Sequence, residues 1–119
     1  MKMNENNAGL EAEKLAATFL STQGLRLVTQ NYHCRFGEID LIMMDASTLV
    51  FIEVRLRSNK QFGSAAASIT PQKQQKLILT AQHYLQQNPN KNACRFDVLL
   101  MDKVEIGAIT WLKNALEAG

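Results

Sequence analysis

Two carboxylates set inside apolar runs are the residues of this sequence with the clearest chemical potential. Gly37-Glu38-Ile39-Asp40-Leu41-Ile42 is followed, a short turn later, by Val50-Phe51-Ile52-Glu53-Val54-Arg55. With the two-residue period of a strand, Glu38, Asp40 and Ile42 share one face, and Ile39, Leu41 and Met43 share the other. In the second run Phe51, Glu53, Arg55 and Arg57 oppose Val50, Ile52, Val54 and Leu56. Asp45-Ala46-Ser47-Thr48 has turn chemistry, so the runs read as an antiparallel hairpin. Centred between Ala46 and Ser47, that hairpin sets Asp40 across from Glu53, with Cβ atoms roughly 5 Å apart. Carboxylates this close raise one another's pKa unless a cation lies between them. A hard divalent ion such as Mg²⁺ or Mn²⁺ would serve, since it takes one or two carboxylates and fills its other positions with water and phosphate. Such an ion activates water and offsets charge that develops on phosphorus, while the cation of Arg55 stabilises the transition state. Asp40, Glu53 and Arg55 thus have the makings of a phosphodiester hydrolysis site, although a buried Asp–Arg or Glu–Arg pair would account for half of the pattern.

The elements that must position these groups follow from periodicity. Asn7 to Gln23 reads as an amphipathic helix capped by Asn6 or Asn7, with Ala8, Ala12, Leu15, Ala16, Phe19 and Leu20 on one side and Gly24 as its C-cap. Glu13 projects at the margin of that apolar arc. On pattern alone it is a boundary carboxylate reaching water, but it could join Asp40 and Glu53 if the helix packs beside the hairpin. Leu25 to Tyr32 is a short strand, and the hairpin runs on to about Arg57. Ser58 to Ser64 is a polar loop, after which Thr70 suits an N-cap and Pro71 the first position of a second helix reaching about Gln87. Leu77, Ile78, Ala81, Tyr84 and Leu85 form its apolar face. Cys94 to Met101 reads as a strand, Val104 to Lys113 as a further strand at an edge, and Asn114 to Gly119 as a tail with a helical turn. The order αβββαββ, with helices flanking a mixed sheet of about five strands, is an α/β sandwich. The 119 residues, 46% of them apolar, make one domain, with residues 1–7 expected to be flexible.

Composition narrows the class. No apolar run approaches the 18 or more residues that span a bilayer, and the polar start Met1-Lys2-Met3-Asn4-Glu5-Asn6-Asn7 is no signal peptide. Cys34 and Cys94 lack zinc-site or redox spacing and read as reduced thiols of a cytoplasmic protein. The net charge is only +2, but Val54 to Phe96 holds no Asp or Glu and carries Arg55, Arg57, Lys60, Lys73, Lys76, Lys91 and Arg95. That asymmetry suits a polyanion, although charge alone favours a solvated basic surface. Lys73 and Lys76, just past a helix start, could meet a phosphate backbone or simply face solvent. Asp97, beside Arg95, reads as a structural hydrogen-bond partner; Trp111 and Phe62 read as packing residues that could also stack on bases. His33 and His83 belong to no motif and read as surface or boundary residues.

The two hairpin runs, with Glu13-Lys14-Leu15-Ala16-Ala17-Thr18-Phe19-Leu20 before them and Pro71-Gln72-Lys73-Gln74-Gln75-Lys76 and Cys94-Arg95-Phe96-Asp97-Val98 after, resemble the YraN-like family of small bacterial proteins. The resemblance covers about Ala8 to Leu100. It implies a restriction-endonuclease-like fold of the kind found in archaeal Holliday-junction resolvases. In that superfamily a helix acid, a strand Asp and a Glu-x-Lys bind one or two metal ions, roles matched here by Glu13, Asp40, Glu53 and Arg55. Arg55 departs from the pattern: it keeps the charge and can brace a phosphate, but it cannot give up a proton near neutral pH. The usual Pro before the Asp is Ile39 here. Glu38 could be an outer ligand or a partner of Arg35 or Arg57. The resemblance therefore implies a Mg²⁺- or Mn²⁺-dependent nuclease acting on DNA, branched or otherwise structured, with Arg57, Lys60, Lys73 and Lys76 along the backbone. A nucleic-acid-binding module that cleaves slowly or not at all is the alternative, and a protein-interaction adaptor the third reading. A substrate with two-fold symmetry would suit a homodimer.

Overall fold

In the computed structural model, residues 5–56 and 69–116 are described. The chain runs α1 (Glu5–Thr22), β1 (Arg26–Cys34), β2 (Gly37–Asp45), β3 (Thr48–Leu56), α2 (Pro71–Gln87), β4 (Ala93–Met101), a short 3₁₀ turn (Ile106–Ala108) and β5 (Ile109–Leu112). The strands form one sheet in the order β1-β2-β3-β4-β5. β2 is antiparallel to both β1 and β3, β3 and β4 are parallel, and β4 and β5 are antiparallel. A parallel neighbour cannot be reached by a tight turn, and α2 lies within the crossover that connects β3 to β4.

One helix lies on each face, so β2, β3 and β4 are apolar on both sides. Ala12, Ala16 and Leu20 of α1 pack with Leu41, Met43, Val50, Ile52, Leu99 and Met101. Leu77, Ala81 and Tyr84 of α2 pack with Ile39, Ile42, Phe51, Phe96, Val98 and Leu100. This is the two-helix, five-strand mixed α/β architecture that the sequence implied. Among the described residues, no helix is long and apolar enough to cross a membrane.

The ends of the elements follow local rules. At the end of α1, Gly24 takes φ +97° and its N–H bonds the Ser21 carbonyl, while the Leu25 N–H reaches back to the Leu20 carbonyl. That is a Schellman closure, and the accompanying contact is between Leu20 and Leu25, both buried in the α1 core. α2 starts as expected, with Thr70 extended, its hydroxyl accepting from the Lys73 N–H at 3.1 Å, and Pro71 at the first helical position.

Three boundaries differ. α1 is already helical at Glu5, so Asn6 and Asn7 lie within it and do not cap it. The last strand is only Ile109–Leu112, because a 3₁₀ turn occupies Ile106–Ala108 and the ladder to β4 spans just four pairs, Met101↔Ile109 to Val98↔Leu112. Residues 114–116 form no helical turn: Asn114 takes φ +53°, and Ala115 donates its N–H to the Phe96 carbonyl, which draws the chain back over the sheet.

Gly37 opens β2 at φ +150°, and a Cβ there would meet Thr80 Oγ1 at 3.3 Å and Lys76 Cβ at 3.7 Å. Thr80 is fully buried and donates to the Lys76 carbonyl at 2.7 Å, so it has little freedom to retreat. Gly37→Ala is therefore expected to lower stability by about 1–2 kcal/mol, through backbone strain and α2 displacement together. Urea unfolding of the two proteins checks this.

Candidate metal and phosphate site

The hairpin has the expected register. Its pairs run from Asp45↔Thr48 through Met44↔Leu49 to Leu41↔Ile52. Asp40 and Glu53 are the next pair in that register, and the ladder stops one step short of them. Here the Val54 N–H donates to Asp40 Oδ2 at 2.8 Å, so a side chain takes a main-chain donor at the fork. The other neighbour skips Asp40 as well: β1 pairs Gln30↔Leu41 and Tyr32↔Ile39, and Asn31 between them takes φ +53°. Asparagine tolerates that left-handed conformation better than most residues.

The distortion corrects one part of the alternation. Ile39 packs on the α2 side with Ile42, and not with Leu41 and Met43, which face α1. A strict two-residue period fails at Asp40 because neither adjacent strand holds it in a ladder. In β3 the alternation is regular, with Phe51 on the α2 side and Val50, Ile52 and Val54 on the α1 side.

Asp40 is 8% exposed and Glu53 6% exposed. Burial, then the Glu53 carboxylate, push Asp40 up to about 8, against the opposing pull of the Val54 N–H. Glu13 of α1 is half-buried and is a hydrogen-bond neighbour of Asp40 and of Asn31. Burial raises its pKa and the contact with Asp40 lowers it, while the charges of Glu38 and Glu53 raise it further. The first helix thus does pack beside the hairpin and brings the third acid to the pair. The donor chemistry fits a hard divalent ion, because an anionic cluster that resists ionisation is what such a cation would stabilise. Among the described residues, no three His, Cys, Asp or Glu side chains converge closely enough to hold one ion.

What holds Glu53 is a lysine that sequence spacing assigned elsewhere. Lys73 Nζ lies 2.9 Å from Glu53 Oε2, whereas Arg55, two residues along the same strand, approaches the same oxygen only to 3.8 Å. The ammonium of Lys73, expected along a nucleic-acid backbone, is turned into the carboxylate site in this structure. Lys73 stands in the first turn of α2, after the Thr70 cap, and α2 packs across β2. The cap and Pro71 could be read from sequence, but the packing angle that brings Lys73 to Glu53 could not.

Lys76 is exposed and borders a cleft of ≈ 270 Å³ with Gly37, Glu38, Lys73 and Leu77. Glu38 is exposed and pairs with His33 Nε2 at 2.9 Å. His83 Nδ1 meets the Tyr32 hydroxyl at the edge of the α2 core. Arg57, Lys60 and Phe62 lie outside the described residues.

Among the described residues, the acid-free segment does not make one basic face. Arg95 pairs with Asp45 Oδ2 at 2.9 Å and with Asp97 Oδ1 at 3.0 Å, which neutralises it at the far end of β3 from Glu53. Asp97 also accepts from Trp111 Nε1 and from the Asn114 N–H, both at 2.9 Å. It is the structural hydrogen-bond partner that its place beside Arg95 suggested. Trp111 is half-buried, edge-on to Phe19 with ring centroids 6.2 Å apart and with Lys113 over its face, so it is a packing residue.

Residues 12–101 match the family described as Uncharacterised protein family UPF0102. A UPF0102 protein of Psychromonas ingrahamii is 52% identical over 112 residues, covering 94% of this chain and 91% of the relative. One of Nitrosomonas europaea is 51% identical over 111 residues, covering 93% and 94%. One of Legionella pneumophila is 54% identical over 113 residues, covering 93% and 95%. The matched segment runs from α1 to the last residue of β4 and so spans Glu13, Asp40, Glu53 and Lys73. The chain belongs to the UPF0102 family, consistent with the YraN-like motifs of its sequence.

Proposed function

We propose that this protein is a metal-dependent nuclease that hydrolyses phosphodiester bonds in DNA, with branched or otherwise structured DNA as the substrate class. The observation that carries the reading is the buried Asp40, released from both neighbouring ladders, beside a buried Glu53 that a lysine from α2 meets. Asp40 and Glu53 would hold Mg²⁺ or Mn²⁺, with Glu13 joining as the ion draws the acids together; the ion would supply charge neutralisation and water activation when bound. Asp40 presents its carboxylate from the fork, fixed by the Val54 N–H. Arg55, 37% exposed, would brace the scissile phosphate. Lys76, with the start of α2 beside it, would position the strand. Such an enzyme would work in the cytoplasm, and a homodimer would suit a junction with two-fold symmetry.

Parallel assays on linear, nicked, flap and four-way DNA with Mn²⁺, with the Glu53→Gln protein as control, test the reading. Wild-type cleavage of at least one substrate that is lost in the control is the expected result. If Mn²⁺ leaves the melting temperature of the wild type unchanged, the reading loses its basis.

The second reading is a DNA-binding module on the same scaffold that cleaves slowly or not at all. Arg55 favours it, because arginine cannot exchange a proton with the attacking water near neutral pH. A salt-dependent gel shift without cleavage identifies that case. Absence of DNA or RNA binding at low salt identifies the adaptor reading.

A further inference from the structure

The interaction between Lys73 and Glu53 goes beyond what a helix-to-strand clamp requires. Lys73 sits in the first turn of α2, where the helix dipole disfavours a cation, and no acidic residue shares that turn. Its ammonium is therefore in a locally unfavourable place unless Glu53 compensates it. At 2.9 Å it is within hydrogen-bond distance of Glu53 Oε2, and Arg55, at 3.8 Å from the same atom, is not. Glu53 is buried to 6% exposure, whereas the Lys73 side chain is 41% exposed. The cation thus reaches the acid from the solvent side, along the wall of the cleft that also holds Gly37, Glu38 and Lys76. An ion or a substrate phosphate would approach from that side. A lysine ammonium is a compact charge on a flexible stem and can move between two anions without the fixed fork of a guanidinium.

We propose that Lys73 is an exchangeable cation of this site: it neutralises Glu53 in the metal-free protein, yields Oε2 to an incoming divalent ion, and then presents its ammonium to the substrate phosphate. This deepens the nuclease reading and rests on it. Arg55 is left as a more distant brace. By holding Oε2, Lys73 acts as a positioning residue before any substrate arrives.

The test compares wild type, Lys73→Met and the double variant Lys73→Met/Arg55→Lys. It measures Mn²⁺ affinity by calorimetry, melting temperature with and without Mn²⁺, and single-turnover cleavage at saturating DNA. Removing a competing cation next to Glu53 is expected to tighten Mn²⁺ binding by about threefold or more. The metal-free melting temperature falls, and Mn²⁺ raises it by more than in wild type. Single-turnover cleavage falls about 100-fold, and Arg55→Lys restores at least about a tenth of it by returning an ammonium to the same face. Lys73→Gln gives the same comparison if the methionine variant does not fold. Unchanged Mn²⁺ affinity with a lower melting temperature would mean a structural clamp and overturn the proposal. So would a defect confined to KM, which would mean backbone contact alone. Failure of the wild type to bind Mn²⁺ overturns the metal reading and this proposal with it, whereas wild-type binding with an indifferent Lys73→Met overturns this proposal alone.

Discussion

Asp40→Asn is expected to abolish Mn²⁺ binding while making the metal-free protein more stable than wild type above pH 8. Both effects come from one carboxyl. In the folded chain burial and Glu53 push Asp40 up to about 8, well above its ordinary value of 3.8. Between those two values the folded state holds a proton that the unfolded chain has released. The stabilisation linked to this group is therefore complete at low pH and is lost as pH rises through 8, with a slope approaching about 1.4 kcal/mol per pH unit. An asparagine keeps an oxygen for the Val54 N–H, which lies 2.8 Å from Asp40 Oδ2, and has no charge to bury. Urea unfolding of both proteins between pH 5 and 9 should give a sloping wild-type curve and a flatter variant curve. The same linkage governs metal: an ion needs the ionised carboxylate, so Mn²⁺ affinity in the wild type should rise about tenfold per pH unit up to 8 and level off above it. Calorimetry in two buffers of different ionisation enthalpy reads the released proton directly. Affinity that does not change between pH 6 and 8 would remove Asp40 from the site.

Asp97→Ala is expected to cost about 3–5 kcal/mol, the range for breaking a buried ion pair from one side. Asp97 is 1% exposed and holds together three parts of the chain that no single element connects. Arg95 of β4 donates to it through Nε at 3.0 Å and through its second guanidinium nitrogen at 3.1 Å. Trp111 of β5 and the Asn114 N–H donate at 2.9 Å each. Alanine would leave all of these donors without that acceptor, and Arg95 would keep only Asp45 as a counter-charge. Trp111 is the sole tryptophan, so its emission reports β5 directly. Loss of the indole hydrogen bond should shift that emission at temperatures where circular dichroism still reports a folded protein. Asp97→Asn, which keeps an oxygen acceptor but no charge, should fall between the two. A loss under about 1 kcal/mol for the alanine variant would show that β5 is held by its short ladder alone.

The order of elements could be read from sequence because each signal is local. The hairpin register follows from a two-residue turn and the strand period, and the observed pairs reproduce it through Leu41↔Ile52. The Gly24 closure and the Thr70-Pro71 start of α2 depend on residues within a few positions of each other. The three acids were legible as residue types in two adjacent strands and one helix margin. Asp97 was legible as a partner of Arg95 two residues along the same strand, whereas Asp45, its second partner, comes from β2 and was not. The expected strand from Val104 was too long, since apolar side chains in an edge segment do not dictate pairing beyond the rungs that β4 offers.

Sequence alone therefore determined that Asp40 and Glu53 share a hairpin and that a cation ought to stand near them. Tertiary structure decided three things that periodicity cannot carry. Asn31, in a left-handed conformation on β1, leaves Asp40 out of that ladder and sends Ile39 to the α2 core. The packing of α1 sets how far Glu13 reaches toward Asp40. The placement of α2 across the sheet makes Lys73, twenty residues beyond Glu53, the cation that holds it. The physical reason is the same in each case: backbone period and capping act over a few residues, whereas the burial that shifts a carboxyl and the cation that answers it come from elements that meet only when the core closes.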